Sequence, residues 1–224
     1  SETTRALLTY WFETEHVIVT SEGTRRFRWY FAQREAVESA IWLYEHEQAR
    51  DSQDLMRYDS NGAVSRNMFL AHWPRYVMKL ATGAGKTKVL SLLMAWSYFH
   101  ALYEEDSPLS TNILMIAPNI IVLDRLRTDF EAAKIFYDDP ILPENGYEGR
   151  DWQAEFQLTV HIQDEIGTVA KRGNLFLTNI HRVSDAKAPP SIDDENTTNY
   201  FLGPRPVTKT TDDLVDLGVI VRQV

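Results

Sequence analysis

Seven consecutive residues, Ala81-Thr82-Gly83-Ala84-Gly85-Lys86-Thr87, carry the strongest chemistry in this 224-residue sequence. A polyphosphate needs many hydrogen-bond donors at close range. Gly83 and Gly85 let the backbone curl so that successive N–H groups converge. A helix starting near Lys86 adds the positive end of its dipole. The Lys86 ammonium reaches β- and γ-phosphates, and the Thr87 hydroxyl ligates Mg2+. Lys86 and Thr87 are therefore the candidate catalytic residues, with Thr87 the candidate metal ligand. Together with Thr82, Gly83, Ala84 and Gly85 they form a candidate cradle for ATP and Mg2+. The full phosphate-loop pattern opens with a glycine five residues before the last one, and Leu80 stands there instead. The plainer reading of the same residues is a glycine turn that happens to precede a helix.

The cradle works only if a strand delivers the chain and a helix receives it. Residues 75–80 form an apolar run suited to a buried strand, and residues 86–103 carry a long helical pattern. Residues 112–117 (NILMIA) read as a strand covered on both faces, stopped by Pro118. Residues 120–133 read as the next helix. Strand, turn, helix, strand, helix in that order implies a parallel sheet of the α/β class. Upstream, residues 4–12 and 31–47 read as helices, residues 16–20 as a weak strand, and residues 50–67, with Asn61-Gly62, as a loop. Downstream, residues 137–152 are rich in Asp, Pro, Glu and Gly and read as an exposed excursion. Residues 156–162 and 174–178 read as strands, 184–206 as a mobile polar loop, and 210–217 as a helix. A last apolar stretch covers residues 219–221. No internal repeat is present.

Four stretches in this order resemble the restriction-type branch of the superfamily 2 helicases and translocases. They are ATGAGKT, the Gln33-bearing stretch Phe31-Ala32-Gln33-Arg34-Glu35-Ala36-Val37, the turn Ala117-Pro118-Asn119, and Leu175-Phe176-Leu177-Thr178-Asn179-Ile180. The nearest likeness is the restriction subunit of type III restriction enzymes. The resemblance implies an α/β, RecA-like phosphate-loop domain with a parallel sheet, incomplete here. Residues 1–26 would be a helical extension and residues 27–224 most of a first motor domain. It implies that Gln33 contacts the adenine edge, where an amide offers both a donor and an acceptor. It also implies that Pro118, Asn119, Thr178 and Asn179 touch nucleic-acid backbone, which turn N–H groups and short polar side chains suit without reading sequence. Double-stranded DNA and a methyltransferase or specificity subunit are the implied partners. Each site has a bland rival. Gln33 could be a solvated helix residue, Pro118 a strand stop, and Asn119 a helix cap.

Hydrolysis also needs an acid on a later strand to help hold Mg2+ and polarise water. In these motors it is an Asp-Glu pair after an apolar strand. Asp164-Glu165 is the nearest imitation, but it precedes the Thr178-Asn179 turn, whereas the family order puts the acids after it. The sequence stops at Val224, about where that strand would fall. The expectation is a piece of a larger enzyme that by itself binds nucleotide weakly and does not turn it over. The rival readings are a phosphate-loop ATPase or kinase unrelated to nucleic acid, and a degenerate loop serving protein contacts.

Composition narrows the setting. The formal net charge of −9 argues against a simple basic nucleic-acid binder. With no cysteine, disulfides and thiolate metal sites are excluded. No apolar stretch suits a membrane span and the amino terminus lacks a secretion pattern, so the expected location is cytoplasmic.

Overall fold

A computed structural model describes residues 1–20, 23–59, 62, 64, 75–163, 165–180, 184–185 and 207–208. Two compact units divide the chain, Ser1–Trp96 and Ser97–Val224.

The first unit opens with helix α1, Glu2–Glu13, where the Ser1 hydroxyl caps the Thr4 amide at 3.2 Å. Its apolar stripe buries Leu7 and Trp11. The Trp96 indole N–H donates to the Thr4 hydroxyl at 2.9 Å, satisfying both groups away from water. Strands β1 (His16–Thr20) and β2 (Gly23–Phe27) pair antiparallel. The sequence pattern gives only the first of them, because β2 (GTRRF) has no apolar alternation and owes its conformation to its partner. Helix α2, Phe31–Ile41, buries Gln33, Val37, Ala40 and Ile41. It continues into a π-helical turn, Trp42–His46, closed by the Glu47 amide on the Trp42 carbonyl at 3.0 Å. Helix α3, Ser52–Leu55, is capped by Asp51, so the segment expected to be all loop holds one helical turn.

Residues 75–80, expected as a buried strand, take no place in a sheet. They are irregular, their exposure alternates, and Val77 is 93 % exposed. An apolar run supplies the burial preference of a strand, but a strand also needs a neighbour for its N–H and C=O groups. Among the described residues that neighbour is missing. Helix α4, Lys86–Tyr103, follows as expected.

In the second unit, strand β3 (Asn112–Ala117) leads to helix α5 (Ile120–Phe130), a 3-10 turn at Glu131–Ala133 and helix α6 (Ile135–Asp138). Helix α7 (Trp152–Glu155), strand β4 (Thr159–Ile162) and strand β5 (Asn174–Asn179) complete the core. The sheet order is β3-β5-β4, all parallel, with Leu175 opposite both Ile113 and Val160. Every residue of β5 is buried, as a central parallel strand requires. Residues 137–152 are only partly the exposed excursion expected: Ile141 and Trp152 are fully buried and Leu142 nearly so, while residues 144–146 are exposed. The turn-forming residues bend the chain, while these three side chains plug the core. The Trp152 ring packs 4.8 Å from Phe99, and its N–H donates to the Tyr147 carbonyl at 2.8 Å.

Strands β6 (Ser184–Asp185) and β7 (Val207–Thr208) pair antiparallel. The helix expected at 210–217 and the apolar stretch at 219–221 lie outside the described residues, as does nearly all of the loop expected at 184–206. Among the described residues no helix is long and apolar enough to cross a membrane.

Candidate nucleotide-binding site

The loop before α4 has the backbone its glycines suggest. Gly83 (φ +82°) and Gly85 (φ +77°) both occupy the left-handed region, which costs other residues about 1–2 kcal/mol. The turn is closed by the Ala84 amide on the Ala81 carbonyl at 3.3 Å. The Lys86 ammonium donates to that same carbonyl at 2.9 Å. One backbone oxygen thus receives both an amide and an ammonium donor. Thr82, Gly83 and Lys86 are exposed, so the donors lie where a ligand can reach them. Within the helix, the Ser91 hydroxyl donates to the Thr87 carbonyl at 2.9 Å.

Gln33 lies against this loop, although 51 residues separate it from Ala84 in sequence. It is 2 % exposed, which removes the solvated-residue reading. Its Oε1 accepts the Tyr30 amide at 2.9 Å, and its Nε2 donates to the Ala84 carbonyl at 3.1 Å. A Cβ added at Gly85 would overlap that Nε2. Sequence reasoning found both Gln33 and the loop but not the bond between them, since nothing in residue type specifies a long-range partner. Tyr30 is 67 % exposed, and Phe31 is 77 % exposed.

The second unit gathers the other candidates at one sheet edge. Parallel register sets Ile116 beside Thr178 and Ala117 beside Asn179. Pro118-Asn119 and Thr178-Asn179 therefore meet at the carboxyl ends of adjacent strands, the usual ligand edge of such sheets. Pro118 and Asn119 are exposed. The Asn119 Oδ1 accepts the Val122 amide at 2.9 Å, so this side chain caps α5. Thr178 and Asn179 are buried, at 1 % and 4 % exposure. The Asn179 amide donates to Gln163 Oε1 at 3.2 Å, an anchor the sequence did not single out.

Glu165, half of the nearest acid pair, is engaged elsewhere. Arg127 Nη2 donates to both of its carboxylate oxygens, at 2.8 and 3.0 Å. Residues 164, 181 and 182 lie outside the described residues. Among the described residues no three His, Asp or Glu side chains group as a metal site.

The model of the type III restriction enzyme res subunit family matches residues 26–204. The chain belongs to that family. No curated protein and no solved structure matches it. The match takes in the loop at 81–87, Gln33 and both sheet-edge turns. Res-subunit membership and the parallel β3-β5-β4 sheet identify a RecA-like α/β fold, related to the superfamily 2 helicases. The family is that of an ATP-dependent, helicase-like domain of the hydrolase class, with a metal-dependent nucleoside triphosphatase site.

Proposed function

We propose that this chain is the ATP-binding portion of a cytoplasmic DNA helicase or translocase of restriction–modification type. In the intact protein, ATP hydrolysis would drive movement along double-stranded DNA, in company with a methyltransferase or specificity subunit. The observation carrying this reading is the loop: two left-handed glycines and a lysine at the head of an 18-residue helix, inside a res-subunit match.

The residues present fit a bound nucleoside triphosphate with Mg2+. The Ala81 carbonyl already collects one loop amide and the Lys86 ammonium. Thr82, Gly83, Ala84 and Gly85 would offer backbone amides, and the Thr87 hydroxyl would hold the metal. Bound ATP would supply the phosphoanhydride bond whose hydrolysis releases energy, and Mg2+ would offset the charge on its phosphates. The chain's own part is to orient and neutralise. Lys86 donates to a neutral carbonyl, and a charged phosphate oxygen is the stronger partner. On the second unit, exposed Pro118-Asn119 offers the surface for a DNA phosphate, with buried Thr178-Asn179 shaping the edge behind it.

Calorimetric titration of the chain with ATP and Mg2+ tests the nucleotide reading. Binding should be measurable, and Lys86→Ala should weaken it at least about tenfold, the scale of one charge-assisted hydrogen bond. Absence of binding by the folded chain, or equal binding by the variant, would support a degenerate loop instead. The DNA reading requires ATP hydrolysis by the intact protein to rise when duplex DNA is added. A rate indifferent to DNA would favour a phosphate-loop ATPase of another kind.

A further inference from the structure

We infer that the β1–β2 hairpin is a contact surface for the phosphate backbone of duplex DNA, through Arg25, Arg26 and Arg28. The inference rests on the DNA reading above and adds a contact that neither the phosphate loop nor the sheet edge supplies. Strands β1 and β2 pair with each other as a separate two-stranded sheet. Their register sets Val17 opposite Arg26 and Val19 opposite Thr24, so these four side chains share one face. His16, Ile18, Arg25 and Phe27 share the other. That second face is anchored. His16 is buried, with its Nε2 2.7 Å from the Tyr10 carbonyl and its ring centre 4.7 Å from that of Tyr10. Phe27 meets Trp29 edge-on, with ring centres 4.8 Å apart. An isolated hairpin is marginal in water, and this packing holds the ribbon in place. The first face is left to solvent, with Val17 58 % and Val19 83 % exposed.

Charge decides what this surface fits. The chain carries a net −9, so a polyanion can approach only where the local sign is reversed. Residues 16–28 hold three arginines against one acid, Glu22. All three arginines are exposed. Among the described residues no carboxylate pairs with Arg25 or Arg28. Arg26 faces Glu15 at 3.7 Å, with the two side chains 83 % and 81 % exposed. A pair so open to water is worth little, and a phosphate takes a guanidinium through two parallel bonds. A two-stranded ribbon also has the width that the major groove of duplex DNA admits. Two valines make too small an apolar patch to hold a stable protein interface. Sequence-independent DNA binding, by contrast, runs on phosphate contacts alone.

The test titrates the chain, without nucleotide, against a fluorescent duplex of about 20 base pairs across salt from about 0.05 to about 0.3 M. Each phosphate contact adds about 0.9 to the slope of log affinity against log salt. Arg25→Gln, Arg26→Gln and Arg28→Gln together should flatten that slope by about 2–3 and weaken binding at least about tenfold near 0.1 M salt. The same three positions changed to Lys keep their charge and should keep the slope. Both variants alter exposed side chains, so their thermal melts should match that of the wild-type chain. An unchanged slope in the Gln variant overturns the inference and leaves the DNA reading standing. So does a loss in the Lys variant equal to that in the Gln variant, which would assign the arginines to the fold. No binding of the duplex by the wild-type chain at about 0.05 M salt overturns it as well. The reading beneath it fails differently. If ATP hydrolysis by the intact protein ignores DNA while the slopes behave as stated, the hairpin contact stands and translocation falls.

Discussion

The two units hold their backbones in different ways. In the second, β5 is paired on both sides, and all six of its residues are buried. Asn174 opens this central strand, fully buried and fully employed. Its Nδ2 donates to Asn112 Oδ1 at 2.7 Å and to the Ala170 carbonyl at 2.9 Å. Its Oδ1 accepts from the Ala170 amide at 3.1 Å and pairs with His161 Nε2 at 3.0 Å. His161 in turn stacks on Phe176, with ring centres 4.8 Å apart. In the first unit, the run before the loop has no ladder among the described residues. The loop itself rests on the Ala84 amide, the Lys86 ammonium and the Gln33 amide. A scaffold gains from many interlocked bonds that open only together. A ligand loop gains from a few single bonds that can be exchanged for a ligand's.

This contrast can be broken most forcefully at Gly173. Its φ is +75°, a Cβ there would overlap the Gln157 carbonyl, and its own carbonyl accepts the Thr159 amide at 2.7 Å. Gly173→Ala should destabilise the chain by about 3 kcal/mol, combining backbone strain with a clash against unyielding main chain. Chemical denaturation followed by circular dichroism measures it, and a change near zero would mean that the scaffold is looser than described.

The next test sharpens the loop side. Gly83 has open space where a Cβ would go, whereas Gly85 is backed by Gln33. Gly83→Ala should cost about 1–2 kcal/mol, the left-handed penalty alone. Gly85→Ala should cost more, because it also evicts the Gln33 amide. In a Gln33→Ala background the excess should vanish, a non-additivity that a double-mutant cycle detects. Equal costs for both glycines in the wild-type background would refute the contact.

The smallest effect concerns pH. Burial lowers the His16 pKa below the ordinary 6.5, against the opposing pull of the Tyr10 and Trp11 carbonyls. His16 Nε2 lies 2.7 Å from the Tyr10 carbonyl. The fold thus prefers the neutral ring. Its contribution is complete above pH 6.5 and is lost as pH falls through the depressed folded value. The melting temperature of the wild-type chain should fall faster on acidification than that of His16→Gln, which does not titrate. Parallel curves for the two proteins would contradict this.

Much of the site was legible in the residues themselves. Gly83 and Gly85 announce left-handed backbone, and Asn119 before an apolar helix announces a cap. Each property belongs to a residue type and acts over a few positions. The strand expected at 75–80 failed, and the excursion expected at 137–152 failed in part, for a shared reason. Whether an apolar run gains a ladder, and whether a turn-rich stretch plugs a core, depend on neighbours far along the chain. Strand β2 escaped notice for the same cause, since its conformation comes from pairing with β1.

The sequence by itself determined that a phosphate-shaped bend precedes a helix, and that parallel strands follow it, because glycine freedom, side-chain chemistry and apolar periodicity are local. Only the tertiary structure decided that the Gln33 amide bonds Tyr30 and Ala84, and that Thr178 is buried while Pro118 is exposed. Those facts depend on which groups meet once the chain has closed on itself. A buried donor or acceptor must take whatever partner the fold brings within reach.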